Sequence, residues 1–342
     1  MQKSELYTKE GWINTDLPMH DKASFVLMIG GRGIGKTFGI LRSIIDSGEE
    51  FIYMRRTQEQ IDAIKIPELS PFKDINIAYG YNIVVDAIGK KVAGFYNSND
   101  EGKATGATLG LAVALSTFST IRGISSQAKY LIFDEFIPER HERPIKEEGT
   151  AFLNAIETIN RNRELQDKPP IKVLLLSNSN DLTSPILTAL GCTNTLDNMI
   201  RKRKFYTSMY DGALAIYRYI DSPISDKKRS TVLYRIAHNE DFSNMALANE
   251  FSAANYEHVK NEEINQYMPL VTIGDITIYK HKSLYKYYIV PGQKAIEKYT
   301  LLPLSVKQFK ANYGYLWDCM IHGKINYATA PTKISFERLW SK

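Results

Sequence analysis

The sequence predicts an α/β fold in which a parallel β-sheet is flanked by helices and is followed by a smaller α/β domain. Short apolar runs, each of the length of a buried strand, recur at 25–29, 49–57, 130–133 and 171–176. Residues 37–46 and 150–165 instead repeat apolar side chains every three or four residues, as amphipathic helices do. Strands that alternate with helices are typical of a parallel sheet.

The composition is that of a globular protein large enough for two domains. The chain has 342 residues, of which 44% are hydrophobic and 24% are charged. No run approaches the roughly 20 apolar residues that a membrane helix needs, and the amino terminus lacks the apolar stretch of a secretory signal. Cys192 and Cys319 lack the spacing of metal ligands, so we expect two buried thiols in a reducing cytoplasm.

Positive charge is concentrated in the carboxy-terminal part of the chain. Residues 201–342 contain 21 lysines and arginines against 13 acids, whereas the preceding residues contain 22 against 25. This bias suits contact with a polyanion such as nucleic acid, but charge alone leaves a binding function and an ordinary basic domain equally open.

Residues 28–40, MIGGRGIGKTFGI, place a glycine-rich turn between a predicted strand and a predicted helix. The spacing matches the pattern G-x-x-x-x-G-K-[ST], in which backbone N–H groups and the positive end of the helix surround phosphate. The predicted nucleotide contacts are Gly30, Gly31, Arg32, Gly33, Ile34, Gly35, Lys36 and Thr37. In this pattern Lys36 reaches the terminal phosphates and Thr37 binds Mg²⁺, so we expect ATP and Mg²⁺ as cofactors.

The predicted strand at 130–133 ends in two acids, Asp134 and Glu135. Because the carboxyl ends of parallel strands meet at one edge of a sheet, both acids should lie beside the glycine-rich loop. We expect Asp134 to bind Mg²⁺, and Glu135 to orient and deprotonate the water that attacks the γ-phosphate. Such a glutamate favours a hydrolase over a small-molecule kinase, because a kinase gains nothing from activating water.

Other polar side chains follow or precede the predicted strands. Asn178 follows the strand at 171–176, where an amide either contacts the γ-phosphate and the attacking water or caps a turn. Arg55 and Arg56 end an apolar run, and Arg122 lies just before the acidic strand. Guanidinium groups suit the phosphate of ATP or of DNA, and equally a surface position or a structural ion pair.

Two arginines lie near the carboxyl end of the predicted helix at 150–165. Cations stabilise the carboxyl end of a helix through its dipole, and this effect is sufficient to explain the presence of one of the two arginines. In a ring of such domains, an arginine at this rim reaches the γ-phosphate on the adjacent subunit and stabilises the transition state. Arg161 and Arg163 are the two candidates for this role.

The runs GGRGIGKT, FIYMRR, YLIFDEF, TINRNRE and LLLSN, in this order, resemble the genome-packaging ATPases of small short-tailed bacteriophages. The resemblance covers about residues 22–182 and includes an arginine inside the glycine-rich loop, Arg32. It implies a P-loop NTPase fold of the terminase-like ASCE group and the roles given above for the loop and for the two acids. It also favours Arg161 over Arg163 as the arginine that acts on the neighbouring subunit.

The resemblance further implies a set of partners. The family forms a ring, expected to have five subunits, that docks on a capsid portal and pushes double-stranded DNA inward with each cycle of hydrolysis. In close relatives a structural RNA lies between motor and portal, which makes such an RNA a further candidate partner. No membrane contact is expected, and the protein would act in the cytoplasm of the bacterial host, transiently attached to the capsid.

The predicted domains are an ATPase domain at 1–197, a basic connecting region at 198–228 and a carboxy-terminal domain at 229–342. The connecting region suits either a solvated linker or a surface that follows DNA phosphates. Its four consecutive cations, which lie beside aromatic residues, are Arg201, Lys202, Arg203 and Lys204.

The carboxy-terminal domain is predicted to contain a β-hairpin followed by a helix, starting at about residue 268. In large packaging enzymes the second domain is an RNase H-like nuclease, whose two-metal chemistry needs several converging carboxylates. The acids between 264 and 342 lie on unrelated segments, and they are Asp275, Glu297, Asp318 and Glu337. We therefore predict a degenerate nuclease-like domain without nuclease activity.

Two classes of alternative function remain beside the DNA-packaging motor: a related DNA enzyme and a scaffold that is not an enzyme. A helicase would carry further strand-separation motifs, and a headful terminase that cuts DNA would carry an acidic cluster. A nucleotide-regulated scaffold that binds nucleic acid would need the phosphate loop and Asp134, but it has no need for an activating carboxylate such as Glu135.

Overall fold

The computed structural model describes residues 3–121, 127–139, 142, 145–178, 182–236 and 257–340. The chain divides into two compact units. Unit 1 comprises residues 1–190 and 199–252, and unit 2 comprises residues 191–198 and 253–342. In the described part of the chain, no helix is both long enough and apolar enough to cross a membrane.

Unit 1 is built on a sheet of nine strands. They are Phe25–Gly30 (β1), Phe51–Arg55 (β2), Ile83–Ala87 (β3), Val92–Ser98 (β4), Ala104–Ala114 (β5), Tyr130–Asp134 (β6), Lys172–Ser177 (β7), Tyr206–Met209 (β8) and Leu214–Tyr219 (β9). Their order across the sheet is β3-β4-β5-β2-β6-β7-β1-β9-β8. The six central strands, from β5 to β9 in this order, are parallel, and antiparallel strands extend both edges.

The central strands are apolar because helices cover both faces of a parallel sheet. In β1 the side chains of residues 26–29 are fully buried, and β6 and β7 carry similar buried runs. The expectation of a large, mostly parallel sheet in a mixed α/β fold is therefore confirmed. The polar ends of β1, β6 and β7 lie together because β7 pairs with both of the other strands.

The helices of the first 236 residues surround this sheet or connect its strands. They are Asp16–His20 (α1), Lys36–Ser47 (α2), Gln58–Ala63 (α3), Lys73–Tyr79 (α4), Leu115–Phe118 (α5), Glu148–Asn160 (α6), Pro185–Ala189 (α7), Thr193–Arg201 (α8), Pro223–Arg229 (α9) and Val232–Ile236 (α10). Sequence signals fix several of their ends. Thr57 and Gln60 form a reciprocal capping box at the start of α3, and Gly48 ends α2 with a left-handed backbone.

The predicted connecting region, residues 198–228, contributes to the large sheet. All six residues of β9 are buried, and this strand pairs parallel to β1. Strand β8 pairs antiparallel to β9 and extends the same edge. Tyrosines and branched residues in this region suit strands, but the four cations before them obscure this signal in the sequence.

Unit 2 contains a separate sheet of five strands and three helices after residue 257. The strands are Tyr267–Ile273 (β10), Ile276–His281 (β11), Tyr287–Pro291 (β12), Lys298–Tyr299 (β13) and Ile325–Tyr327 (β14), in the order β13-β10-β11-β12-β14. The helices are Pro303–Tyr313 (α11), Tyr315–Ile321 (α12) and Ala330–Trp340 (α13). A core of aromatic and branched side chains, including Phe309, Leu316 and Phe336, lies between sheet and helices.

Candidate active site

The glycine-rich loop joins β1 to α2 and depends on glycine at three positions. Gly33 and Gly35 have positive φ values of +62° and +94°, which other residues rarely adopt. At Gly30 a Cβ atom would lie 2.6 Å from the Ile34 side chain and 2.9 Å from Tyr219. The loop is therefore tight, and α2 begins directly after it at Lys36.

Lys36 lies inside the loop with its ammonium group bonded to uncharged oxygens. It donates to the carbonyls of Gly30 and Gly31 at 2.9 and 2.8 Å, and to Oδ1 of Asn178 at 3.1 Å. Burial lowers the pKa of Lys36 to about 7, although the nearby carboxylates act in the opposite direction. The site thus holds a lysine whose charge has no carboxylate contact among the described residues, which favours the entry of an anion.

Asp134 is held by side chains from one other strand, β2, and from helix α2. The hydroxyl of Thr37 donates to Oδ1 at 2.9 Å, and the hydroxyl of Tyr53 donates to Oδ2 at 2.8 Å. Burial, followed by the charge of Asp134, raises the pKa of Tyr53 well above its usual range, so the phenol keeps its proton. Both carboxylate oxygens of Asp134 are therefore fixed in direction.

Glu135 extends from the end of β6 into the same cleft. Its backbone is left-handed, with φ of +54°, which turns the chain out of the strand. About half of the side chain is exposed (53%), and one carboxylate oxygen contacts the guanidinium group of Arg55. Desolvation in the cleft, together with the neighbouring acids, raises the pKa of Glu135, and Arg55 partly offsets this rise.

These groups line a cleft of about 380 Å³ at the carboxyl edge of the sheet. Its described lining consists of Arg32, Gly33, Gly35, Lys36, Thr37, Phe38, Asp134, Glu135, Glu139, Ser177 and Asn178. Because β7 lies between β1 and β6, Asn178 is positioned between the lysine and the two acids. The loop, the acidic pair and Asn178, which the sequence places on three separate segments, thus meet at one site.

Three further arginines among the predicted site residues have different environments. Arg32 forms an ion pair with Glu139 at the cleft, and Arg55 contacts both Asp134 and Glu135. Arg56 is fully buried away from the cleft and forms ion pairs with Glu148 and Glu142. The Arg56 side chain therefore has the contacts of a structural ion pair, and no part of it is exposed to a ligand.

Other predicted residues lie elsewhere on unit 1. Arg161 is exposed at the end of α6, where its φ of +48° terminates the helix, and Arg163 donates to the carbonyl of Ala128 at 2.8 Å. The four cations at 201–204 are exposed at the end of α8 and in the following turn. Arg122 lies outside the described residues.

Sequence reasoning missed three residues that contact this site. Tyr53 lies in a strand that the sequence marks only as apolar, and Glu139 follows the acidic strand without a recognisable motif. Lys228 of α9 donates to the carbonyl of Arg32, 196 residues away in the sequence, at 2.7 Å. No local pattern predicts such contacts, although the parallel pairing of β2 with β6 would bring Tyr53 close to Asp134.

Three solved structures resemble this chain at low sequence identity. Among solved structures, a variant of the ATPase domain of the large terminase of Thermus phage P74-26 covers 70% of this chain and 93% of its own, with 12% identity and a TM-score of 0.39. The unaltered domain covers 68% and 90%, with 13% identity and a TM-score of 0.38. A large terminase of a thermophilic bacteriophage covers 90% and 83%, with 11% identity and a TM-score of 0.37.

No curated protein matches the sequence. A family model, however, matches residues 1–294, which is most of the chain and includes every residue of the cleft described above. This model describes the Podovirus DNA encapsidation protein. The chain therefore belongs to the Podovirus DNA encapsidation protein (Gp16) family.

Proposed function

We propose that this protein hydrolyses ATP with Mg²⁺ in the cleft, and that a ring of its subunits uses this hydrolysis to move double-stranded DNA into a capsid through the portal. The observation that carries the proposal is the convergence of Lys36, Thr37, Asp134 and Glu135 in one cleft. Membership of a DNA encapsidation family supports the DNA-packaging part.

The side chains of the cleft fit a magnesium nucleotide. The Thr37 hydroxyl and the Asp134 carboxylate lie 2.9 Å apart, and both are oxygen ligands of the kind that Mg²⁺ prefers. The ammonium of Lys36 has only neutral acceptors among the described residues, so a phosphate group would supply its counter-charge. Bound here, Mg²⁺ would neutralise phosphate charge during the transfer of the γ-phosphoryl group to water.

Glu135 is the proposed general base. Its carboxyl is partly exposed at the mouth of the cleft, and its raised pKa increases its affinity for a proton taken from water. Asn178, already bonded to Lys36, is positioned to sense the γ-phosphate or the attacking water. Arg55 belongs to this active site in the proposal, since its guanidinium contacts the two acids.

Arg161 is the proposed arginine that acts on the neighbouring subunit of the ring. Its exposure at the end of α6 supports this role. Five subunits and a structural RNA at the portal are part of the proposal through the family resemblance. Action in the host cytoplasm is likewise part of the proposal through the family resemblance.

The exposed cations at 201–204 are the proposed contact with DNA phosphates. All four side chains are exposed, and that of Arg203 forms an ion pair with Asp221 at 2.7 Å. Arg122 remains a further candidate for this contact.

We propose that unit 2 does not cut DNA and is a degenerate nuclease-like domain. The described contacts of its acids support this: Glu297 accepts bonds from Tyr299 and Tyr313, and Glu337 pairs with Lys333. Such pairing opposes the convergence of several free carboxylates that two-metal cleavage requires. Supercoiled plasmid that stays intact with the protein and Mn²⁺ agrees with this proposal, and nicking that depends on these acids contradicts it.

The test of the main proposal is ATP hydrolysis per chain as a function of protein concentration, with and without duplex DNA. Glu135→Gln removes the base and Arg161→Ala removes the trans-acting cation, so each is expected to lose about 10²-fold or more in kcat. Arg163→Ala is the matched control, because it removes an arginine three residues after α6 and should retain most activity.

Mixing the two inactive variants separates action in trans from action in cis. In a mixed ring, an Arg161→Ala subunit has an intact Glu135 and can receive Arg161 from a Glu135→Gln neighbour, so activity should partly return. No return in rings that assemble would exclude the trans role. Absent turnover in the wild type, with nucleotide still bound through Lys36, would instead favour a nucleotide-regulated scaffold, and strand separation would favour a helicase.

A further inference from the structure

A lysine from the carboxy-terminal side of unit 1 contacts the glycine-rich loop. The ammonium of Lys228, in α9, donates to the carbonyl of Arg32 at 2.7 Å. It also lies directly against Gly33, where a Cβ atom would collide with the ammonium. Gly33 lines the cleft, so the ammonium of Lys228 lies beside a residue of the cleft lining.

Helix α9 is anchored so that Lys228 stays at the loop. Ser222 caps the helix, and Pro223 occupies its first turn and packs against Gly11, where a Cβ would lie 2.8 Å from the proline ring. The phenol of Tyr7 donates to the carbonyl of Ile220 at 2.9 Å, just before the helix. The amino-terminal segment thus fixes the position of α9 relative to the loop.

The charge of Lys228 is not balanced by a carboxylate within the described chain. Its described acceptor is a backbone carbonyl, and desolvation lowers the pKa of its ammonium. Lys36 is in the same situation inside the loop, whereas Arg32 is paired with Glu139. Two lysines therefore hold positive charge at one loop, on carbonyl oxygens that an anionic ligand can replace as partners.

We propose that Lys228 is a second phosphate-binding lysine, which contacts the polyphosphate of the bound nucleotide from the rim of the loop. The side chain has four rotatable bonds, so its ammonium can leave the Arg32 carbonyl while α9 stays in place. This inference rests on the proposed function, because it names a further contact of the same nucleotide site. It also predicts that bound nucleotide ties α9 to the loop.

Acylation of lysines in the wild-type protein tests the proposal without any substitution. The rate of labelling at Lys36, Lys228 and Lys227 would be measured by mass spectrometry, with and without a magnesium complex of a non-hydrolysable ATP analogue. At about ten times the dissociation constant only about a tenth of sites remain free, so labelling of Lys36 and Lys228 should slow about tenfold. Lys227, which donates to the carbonyl of Glu10 at 3.4 Å, is the internal control and should be unaffected.

The outcomes separate this inference from the proposed function. Protection of Lys36 together with Lys228, but not of Lys227, supports both. Protection of Lys36 alone overturns the role of Lys228 and leaves the nucleotide site intact. No protection of Lys36 at saturating ligand contradicts the proposed nucleotide site itself, and the role of Lys228 fails with it.

Substitutions provide the second measurement. Lys228→Ala should weaken the binding of ADP and of inorganic pyrophosphate by about tenfold, because a charge-assisted hydrogen bond is lost, and Lys228→Arg should restore most of it. Lys227→Ala is the matched control on the same helix. A Lys228→Ala protein with a lower thermal midpoint but unchanged affinities would have lost only a structural contact, which overturns the proposal.

Discussion

Arg55, the last residue of β2, forms an ion pair with Glu135, the residue that follows β6. The two strands are parallel neighbours, so their carboxyl ends lie side by side at the cleft. The same guanidinium group also contacts Asp134 at 3.2 Å. Arg55 therefore influences the proton affinity of the proposed base, which desolvation and neighbouring acids raise and which this cation lowers.

The first prediction concerns the pH dependence of hydrolysis in Arg55→Gln. Removal of the cation raises the pKa of Glu135 further, so a larger fraction of the base is protonated at acidic pH. The acid limb of kcat should therefore move to higher pH, by about one unit, with the largest loss at the lowest pH and little loss above neutrality. The measurement is kcat at saturating ATP and Mg²⁺ from acidic pH to above neutrality.

Lys129→Gln is the matched control for this shift. Lys129, just before β6, pairs with Glu49, just before β2. The substitution therefore removes an ion pair at the opposite end of the same two strands. Its pH profile should coincide with that of the wild type. An unchanged acid limb in Arg55→Gln would mean that Glu135 is not the group whose ionisation limits hydrolysis.

The second prediction concerns the metal ligand. Tyr53→Phe removes a buried hydroxyl that donates to Oδ2 of Asp134 at 2.8 Å, without changing the shape of the side chain. A hydrogen bond that orients a metal ligand commonly affects metal affinity by about tenfold or more, so the Mg²⁺ concentration for half-maximal hydrolysis should rise about tenfold. At saturating Mg²⁺ kcat should recover.

Tyr217→Phe provides the comparison for Tyr53→Phe. It removes an equivalent bond, from a tyrosine to Asp21 at 2.6 Å, outside the cleft lining. Both variants should lose similar stability, and only Tyr53→Phe should change the Mg²⁺ dependence. Parallel behaviour of the two variants would refute the orienting role of Tyr53.

The sequence predicts those parts of the site whose functional residues are adjacent to one another in the chain. The loop at 30–37 is one segment, and Asp134 and Glu135 directly follow an apolar strand, so a pattern contains each of them completely. The expectation that Asn178 lies near the loop follows from the same rule of parallel strands. Its contact with Lys36 depends on β7 lying between β1 and β6, an order that no local pattern specifies.

The parts that sequence did not predict depend on partners far apart in the chain or on half-exposed strands. Strands β3 and β4 extend one edge of the sheet and β5 lies next to them, and in these strands polar residues and glycines weaken the apolar signal. Lys228 is 196 residues away from Arg32 in the sequence, and only the fold brings the two residues together. The helix predicted at 150–165 ends as α6 at Asn160, because Arg161 adopts a positive φ.

The third prediction concerns protons taken up when nucleotide binds. Lys36 has a pKa of about 7 in the nucleotide-free protein, and phosphate charge should raise it towards the usual lysine value. At about pH 8.5 the free protein then has mostly neutral Lys36, so binding should take up nearly one proton, whereas at about pH 6 it should take up almost none. Calorimetry in buffers of different ionisation enthalpy measures this number.

Lys36→Arg separates Lys36 from other groups in this measurement. Arginine stays charged at both pH values, so any binding that this variant retains should occur without the pH-dependent uptake. Uptake that is the same at both pH values in the wild type would contradict the lowered pKa of Lys36.

The same lowered pKa makes the nucleotide-free wild type gain stability as the pH rises from about 7 towards the usual lysine value, since the unfolded chain then binds more protons.

The last prediction concerns the buried pair of Arg56 and Glu148, which joins the end of β2 to the first turn of α6. Arg56 is fully buried, and its Nε donates to Glu148 Oε1 at 2.6 Å. Arg56→Met leaves the buried Glu148 carboxylate without this partner, so the free energy of unfolding should fall by about 3–5 kcal/mol in urea denaturation. The double variant Arg56→Met with Glu148→Met should recover most of this loss, because no charge of the pair is then left buried. A double variant as unstable as the sum of the single variants would show that the two side chains stabilise the protein through separate contacts.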